Sequence, residues 1–342
     1  MVSDSPIADL RARKTPALAR AISLVENGRP GFEQLLAEIH RHLGSARRIG
    51  LTGPPGAGKS TLTERLVQTY RSRGLTVAVV AVDPSSAFTG GALLGDRIRM
   101  ESVALDTGVF IRSMATRGSL GGLATTTREV CDVLDAAGFD RILVETVGVG
   151  QSELDVARTA DSTVLILVPE SGDGIQTLKS GVMEIADVFV VNKADRPGAD
   201  RLRQEIEVTL GIRHGNAFRH MRGHHGAAAG AAARPAEPAP AWKTPVLATV
   251  ALQGQGIDAL VEALDAHYAW LTGSGELAER RRRRLLERTR EVVNRATRHW
   301  VWEESQAEQA IRDRLDDVAA GRVSPYDVAS EIVEGLKVGT RI

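Results

Sequence analysis

Seven short apolar runs alternate with helical patterns through the middle of this chain. They cover 48–52, 77–82, 108–112, 141–145, 163–168, 188–192 and 245–250 and are rich in β-branched residues. Such runs, with helical segments between most of them, predict a buried, mainly parallel sheet with helices on both faces. The fold class is therefore α/β, and ligand groups belong at the carboxyl ends of the strands.

The flanks read differently. Before residue 46, Leu18, Ile22 and Val25 share one helical face, and Asn27-Gly28-Arg29-Pro30 ends that helix. Phe32, Leu35, Leu36, Ile39 and Leu43 form a second stripe, ended by Gly44. After Gly273-Ser274-Gly275, a long helix carries Leu285, Thr289, Val292, Val293, Ala296 and Trp300 on one face. A last helix starts near Ser324-Pro325, with proline at its first position, and carries Val328, Ile332, Val333 and Leu336. These terminal stripes need a surface to bury against. Self-association into a homodimer is the expectation, with packing back on the same chain as the alternative. The expected organisation is a helical extension over 1–45, a nucleotide domain over 46–272 and a helical dimerisation arm over 273–342.

Residues 214–243 break the alternation. From His220 to Ala241 the chain is an Ala/Gly/Pro tract, which reads as a surface insertion over about 220–241. Its neighbourhood holds His214, His220, His224 and His225, but no cysteine or carboxylate cluster completes a metal site. The five arginines Arg280 to Arg284 could bind nucleic acid or phosphate but read rather as a solvated helix segment, because Lys+Arg and Asp+Glu are both 43 and the formal charge is zero. That balance gives no support for a nucleic-acid or membrane-surface partner. Cys131 is the only cysteine, which excludes an intramolecular disulfide framework and suits a reducing cytoplasm. No apolar run follows the first basic residues, so no signal peptide is expected. No stretch approaches the roughly 20 apolar residues of a membrane span.

The chemistry concentrates at strand ends. The first run leads into Gly53-Pro54-Pro55-Gly56-Ala57-Gly58-Lys59-Ser60-Thr61, with the full Walker A spacing. Its glycines let successive N–H groups face one concavity that can hold phosphate oxygens. Lys59 brings a charge to the outer phosphates, Ser60 a hydroxyl to a Mg²⁺ ion, and the following helix its positive end. Asn192-Lys193-Ala194-Asp195 ends the sixth run, the place of a guanine-reading element. The Asp195 carboxylate can accept from both the ring N–H and the exocyclic amine of guanine, whereas adenine presents an acceptor there. Two charge-assisted bonds suffice for a preference on the order of a hundredfold. GTP and GDP are therefore the expected nucleotides.

The fourth run ends in Glu145-Thr146-Val147-Gly148, where a nucleotide switch carries an acid near Mg²⁺ and a glycine near the γ-phosphate. Asp83 and Asp96 are two further acids, so Ser60, Asp83, Asp96 and Glu145 form the candidate metal set. Mg²⁺ keeps several waters, and three acids exceed what it can take directly. Val149 stands where many small GTPases place the glutamine that orients the attacking water. Hydrolysis is therefore expected to be slow unless Gln151, Asp83 or a partner positions that water.

These motifs resemble the methylmalonyl-CoA mutase-associated GTPases of the MeaB/ArgK type. The matching stretches are 53–61, Val-Asp-Pro-Ser-Ser at 82–86, Gly-Asp-Arg-Ile-Arg-Met at 95–100, Arg-Gly-Ser-Leu-Gly-Gly-Leu at 117–123, Glu-Thr-Val-Gly-Val-Gly-Gln-Ser-Glu at 145–153, and 192–195. The resemblance covers most of the chain. It implies a P-loop NTPase fold and a homodimeric GTPase chaperone that gates adenosylcobalamin delivery to an acyl-CoA mutase and protects or reactivates it. By position it makes Lys59, Ser60, Asp83, Asp96 and Glu145 the Mg²⁺ and phosphate set, Asp195 the base reader, and 172–188 a third switch that contacts the mutase. Two departures stand out. The family's Ser-Ala-Leu loop behind the base reads Val250-Ala251-Leu252 here, which keeps backbone contacts and loses a hydroxyl. The Ala/Gly/Pro insertion is also longer than usual. A nickel metallochaperone GTPase is a neighbouring reading, but Cys131 has no obvious metal-ligand companion; a kinase acting on transport proteins would need a phosphoacceptor pocket.

Overall fold

The structure, a computed structural model, describes residues 6–84, 100–116, 122–146, 152–170, 182–213 and 241–337. Asp96, Gly148, Val149, Gln151, the insertion histidines and most of 172–188 lie outside the described residues. The chain divides into two compact units, Met1–Arg281 and Arg282–Ile342.

The first unit begins with three helices, α1 (Pro6–Arg11), α2 (Thr15–Glu26) and α3 (Phe32–Ile39). The alternation follows: β1 (Arg47–Thr52), α4 (Lys59–Ser72), β2 (Val77–Pro84), α5 (Glu101–Ala104), β3 (Val109–Thr116), α6 (Gly122–Ala136) and β4 (Arg141–Thr146). It continues with α7 (Ser152–Thr159), β5 (Ser162–Leu167), α8 (Val182–Ile185), β6 (Val188–Asn192), α9 (Ala199–Arg213), β7 (Val246–Thr249) and α10 (Ile257–Ser274). Among the described residues, all seven expected strands form, in one sheet of order β3-β2-β4-β1-β5-β6-β7. Every pairing is parallel.

Burial shows why the strands read as continuous apolar runs. Val77 and Val79 face one core with Leu62, Leu66 and Tyr70 of α4 and Leu260 and Leu264 of α10. Their neighbours Ala78, Val80 and Val82 face the other core, with Leu18, Ile22 and Val25 of α2 and Val130 and Leu134 of α6. With both faces covered, apolar side chains are favoured on both sides of a strand, as along Val77 to Val82. The stripes before residue 46 are thus part of the second core. Cys131 is buried there, and burial pushes its thiol up to about 11.

The chain runs outward from β1 to β2 and β3, returns through β4, then crosses to β5, β6 and β7. β1 is therefore flanked by β4 and β5, and its carboxyl end opens at the point where the order reverses.

At the opposite edge, partly buried ion pairs hold the start of α11 (Glu276–His299). Arg280 donates from Nη1 and Nη2 to Asp187 Oδ1, both at 3.1 Å. Arg281 donates to Asp161 Oδ2 at 2.9 Å and to the carbonyls of Gly44 and Ala46. The first two arginines of the run are thus packed rather than solvated, which corrects the sequence reading. Asp161 and Asp187 precede β5 and β6 and are themselves buried, so each needed a cation.

In the second unit, a π-helical turn at Trp300–Glu304 leads to α12 (Ala307–Ala319) and α13 (Pro325–Lys337). Ala307, Val328 and Ile332 form its small core. The last helix begins at Pro325 as expected, and Ser324 caps it: its Oγ donates to Asp327 Oδ2 at 2.7 Å, and Asp327 N donates back to Ser324 Oγ at 3.2 Å. Leu285, Leu286, Val292, Val293 and Trp300 are all exposed. No described helix is long and apolar enough to cross a membrane.

Candidate functional site

The loop between β1 and α4 takes a shape only glycine permits at two points. Gly53 has φ 143°, and a Cβ there would meet the Ile166 carbonyl oxygen of β5 at 2.1 Å. Gly58 has φ 86°, and a Cβ would lie 2.5 Å from the Asn192 amide nitrogen. The loop is thus pressed between the ends of β5 and β6. Lys59 opens α4, and its ammonium folds back over the loop. Nζ donates to the carbonyls of Gly53 at 2.8 Å and Pro54 at 2.9 Å. The side chain is buried, so this charge stands at the loop's mouth rather than in bulk water.

Ser60 and Glu145 meet across the sheet. Ser60 Oγ donates to Glu145 Oε1 at 2.6 Å. Thr63 Oγ1 lies 2.9 Å from Glu145 Oε2 and 2.9 Å from the Lys59 carbonyl, so its one proton is shared between two acceptors. Glu145 is buried at the end of β4, where parallel pairing with β1 sets it beside Leu51. Because Ser60 spends its proton on the carboxylate, its oxygen lone pairs face outward, the orientation a hard cation requires. Oxygen-only donors of this kind suit Mg²⁺ better than a thiophilic metal. Among the described residues, no group of three or more His, Cys, Asp or Glu could hold a metal by itself. Asp83 lies in β2 opposite Ala115 in register, and its side chain is outside the described set.

Asn192 fastens the second half of the site. It is buried at the end of β6, and its Nδ2 donates to the Ala57 carbonyl at 2.8 Å. Its Oδ1 accepts from Thr249 Oγ1 at 3.0 Å and from Ala251 N at 3.2 Å. One amide therefore joins the phosphate loop to the turn after β7. Lys193 follows with φ 56°, a left-handed conformation rare for a side-chain-bearing residue and concentrated at functional turns. Asp195 is exposed on that turn, beside Arg196, which ion-pairs with Glu170.

Val250 and Ala251 are buried, whereas Leu252 is 78% exposed. Arg65 of α4 grips this turn, with Nε donating to the Ala251 carbonyl at 3.0 Å and Nη2 to the Leu252 carbonyl at 2.7 Å. Thr63, Arg65 and Thr249 escaped the sequence reading. Only the spacing of Thr63 from Lys59, one turn of helix, hinted at a role. The structure brings together Gly53 through Thr61, Glu145, Asn192 and Val250-Ala251-Leu252.

A P-loop nucleoside triphosphatase is the class this fold and loop define. The family model described as Methylmalonyl Co-A mutase-associated GTPase MeaB matches residues 18–306. The chain belongs to that family and is a GTPase. It is 44% identical over 320 residues to a GTPase of Pyrococcus abyssi, covering 94% of this chain and 92% of the relative. It is 35% identical over 347 residues to GTPase ArgK of Escherichia coli, covering 98% of each. Among solved structures, one titled LAO/AO transport system kinase superposes with TM-score 0.64 at 28% identity, covering 98% of this chain and 100% of that one.

Proposed function

We propose that this GTPase is a chaperone that gates adenosylcobalamin delivery to a cobalamin-dependent acyl-CoA mutase and protects or reactivates that mutase. The family's name supports the mutase as the class of partner. The observation that carries the gating role is the Ser60–Glu145 hydrogen bond of 2.6 Å. It joins the phosphate loop to the strand that leads directly into Thr146, Val147 and Gly148. A change at the γ-phosphate is thereby felt at Ser60 and passed to the segment after β4.

In this reading the N–H groups of 53–61 and the Lys59 ammonium hold the phosphates. Ser60 carries the Mg²⁺, with Glu145, Asp83 and Asp96 as its carboxylate surround. The ion neutralises charge on the outer phosphates. Gly148 approaches the γ-phosphate, Lys193 and Asp195 read guanine, and Val250-Ala251-Leu252 back the base. The segment 172–188 contacts the mutase. Because Val149 cannot orient water, turnover by the chain alone is slow, and Gln151, Asp83 or the partner supplies the missing alignment. The exposed apolar face of α11 supports a homodimer.

The test is capture of an adenosylcobalamin-dependent acyl-CoA mutase by the immobilised protein in three states: without nucleotide, with GDP, and with a non-hydrolysable GTP analogue. Binding that differs between the GDP and GTP-analogue states is expected. Absence of mutase binding in all three would remove the chaperone reading and leave the GTPase.

A further inference from the structure

The amino-terminal edge of the sheet carries an arginine cluster that the nucleotide site does not use. Arg47 and Arg141 are the first residues of β1 and β4 and stand opposite each other in register. Like charges so placed on neighbouring strands repel. Both reach the same carboxylate: Arg47 Nη1 lies 2.8 Å from Asp265 Oδ1, and Arg141 Nη2 lies 3.6 Å from it. A third guanidinium, Arg73 at the carboxyl end of α4, lies 3.3 Å from Asp265 Oδ2. Arg141 is deeply buried, and burial with the charge of Arg47 beside it lowers its pKa.

The charges do not balance. Three guanidiniums share Asp265. Asp140 adds a second carboxylate near Arg141, but that one also faces Arg13. Two positive charges remain, reduced by the roughly half charge at the end of α4. Aromatic rings line the rest: Arg47 lies over Tyr268 at 4.2 Å and Arg141 over Tyr70 at 5.2 Å. The Tyr70 hydroxyl is buried, feels the charge of Arg141, and makes no hydrogen bond among the described residues. A buried hydroxyl left in this state costs free energy that an added acceptor would recover.

We infer that Arg47, Arg73, Arg141 and the Tyr70 hydroxyl form a second oxyanion site, which takes a small dianion of the phosphate class. Guanidiniums supply bidentate donors that match tetrahedral oxyanions, and Arg47 and Arg73 are partly exposed, leaving an approach from solvent. The six residues of β1 separate this edge from the phosphate loop, roughly 20 Å at the rise of a strand. The two anion sites are therefore distinct.

The probe is inorganic phosphate. Equilibrium dialysis of labelled phosphate against the full-length protein, with GDP and Mg²⁺ saturating, should show one saturable phosphate per chain. In Arg47→Gln/Arg73→Gln the affinity should fall by about tenfold or more for each arginine lost. Asp265→Asn removes the competing carboxylate and should tighten phosphate binding, a gain that misfolding cannot imitate. No saturable phosphate in the wild type, an affinity unchanged by the double substitution, or no tightening in Asp265→Asn would each overturn the inference. Phosphate occupying the nucleotide loop would be recognised by its indifference to all three substitutions.

Discussion

Glu145 shows how much of this site turns on single atoms. It is buried and accepts from Ser60, with Thr63 as a second, shared donor. Glu145→Gln keeps the shape but replaces one acceptor oxygen with a donor, so Ser60 loses the partner that orients its lone pairs. A charge-assisted bond of this kind is worth about 1.5–3 kcal/mol, so GTP hydrolysis should fall by about tenfold to a hundredfold. GDP affinity should change less, because the loop N–H groups are untouched. Single-turnover hydrolysis measures this, and an unchanged rate would remove Glu145 from the reaction. Tyr70 gives a second residue-scale expectation. Burial pushes its phenol up to about 12, against the lowering influence of Arg141. An unfolded chain releases this proton near pH 10, so the folded state holds the proton longer, and stability falls as pH rises from about 10 to 12. Tyr70→Phe should flatten that decline in urea denaturation between these pH values. An identical slope in both proteins would show that the phenol does not contribute.

At the scale of elements, the sheet organises everything. Each strand was legible in the sequence because two-sided burial leaves an unbroken apolar run, as in Val77 to Val82. The phosphate loop and the Asn-Lys-Ala-Asp turn were legible because backbone chemistry fixes their residues locally. What could not be read was pairing across long separations. Arg280 and Arg281 look solvated in a run of five arginines, and only the fold supplies Asp187 and Asp161 as their partners. The contact of Arg65 with the turn after β7 was hidden for the same reason. The pinning of α11 has a measurable consequence. Arg281→Ala leaves the buried Asp161 without its guanidinium and should cost roughly 1.5–3 kcal/mol, seen as a lower urea midpoint. A midpoint unchanged within error would mean that water replaces the guanidinium at no cost.

At the scale of the whole molecule, the chain combines a sheet that carries the phosphate loop with a helical unit whose apolar residues remain outside its own small core. Leu285, Leu286, Val292, Val293 and Trp300 lie exposed together along one helix and its π-helical end. Covering such a face by a second copy gives a dimer mass in light scattering, and Val292→Asp/Val293→Asp should return the monomer mass. A monomeric wild type would refute the dimer. The guanine-nucleotide site is the claim on which the mutase role and the switch both stand. Isothermal calorimetry with Mg²⁺ present tests it most directly. The expected result is saturable heat for GDP and GTP, adenine nucleotides weaker by on the order of a hundredfold, and a preference that collapses in Asp195→Asn. Equal affinity for guanine and adenine nucleotides, or no heat with guanine nucleotides at all, would contradict it.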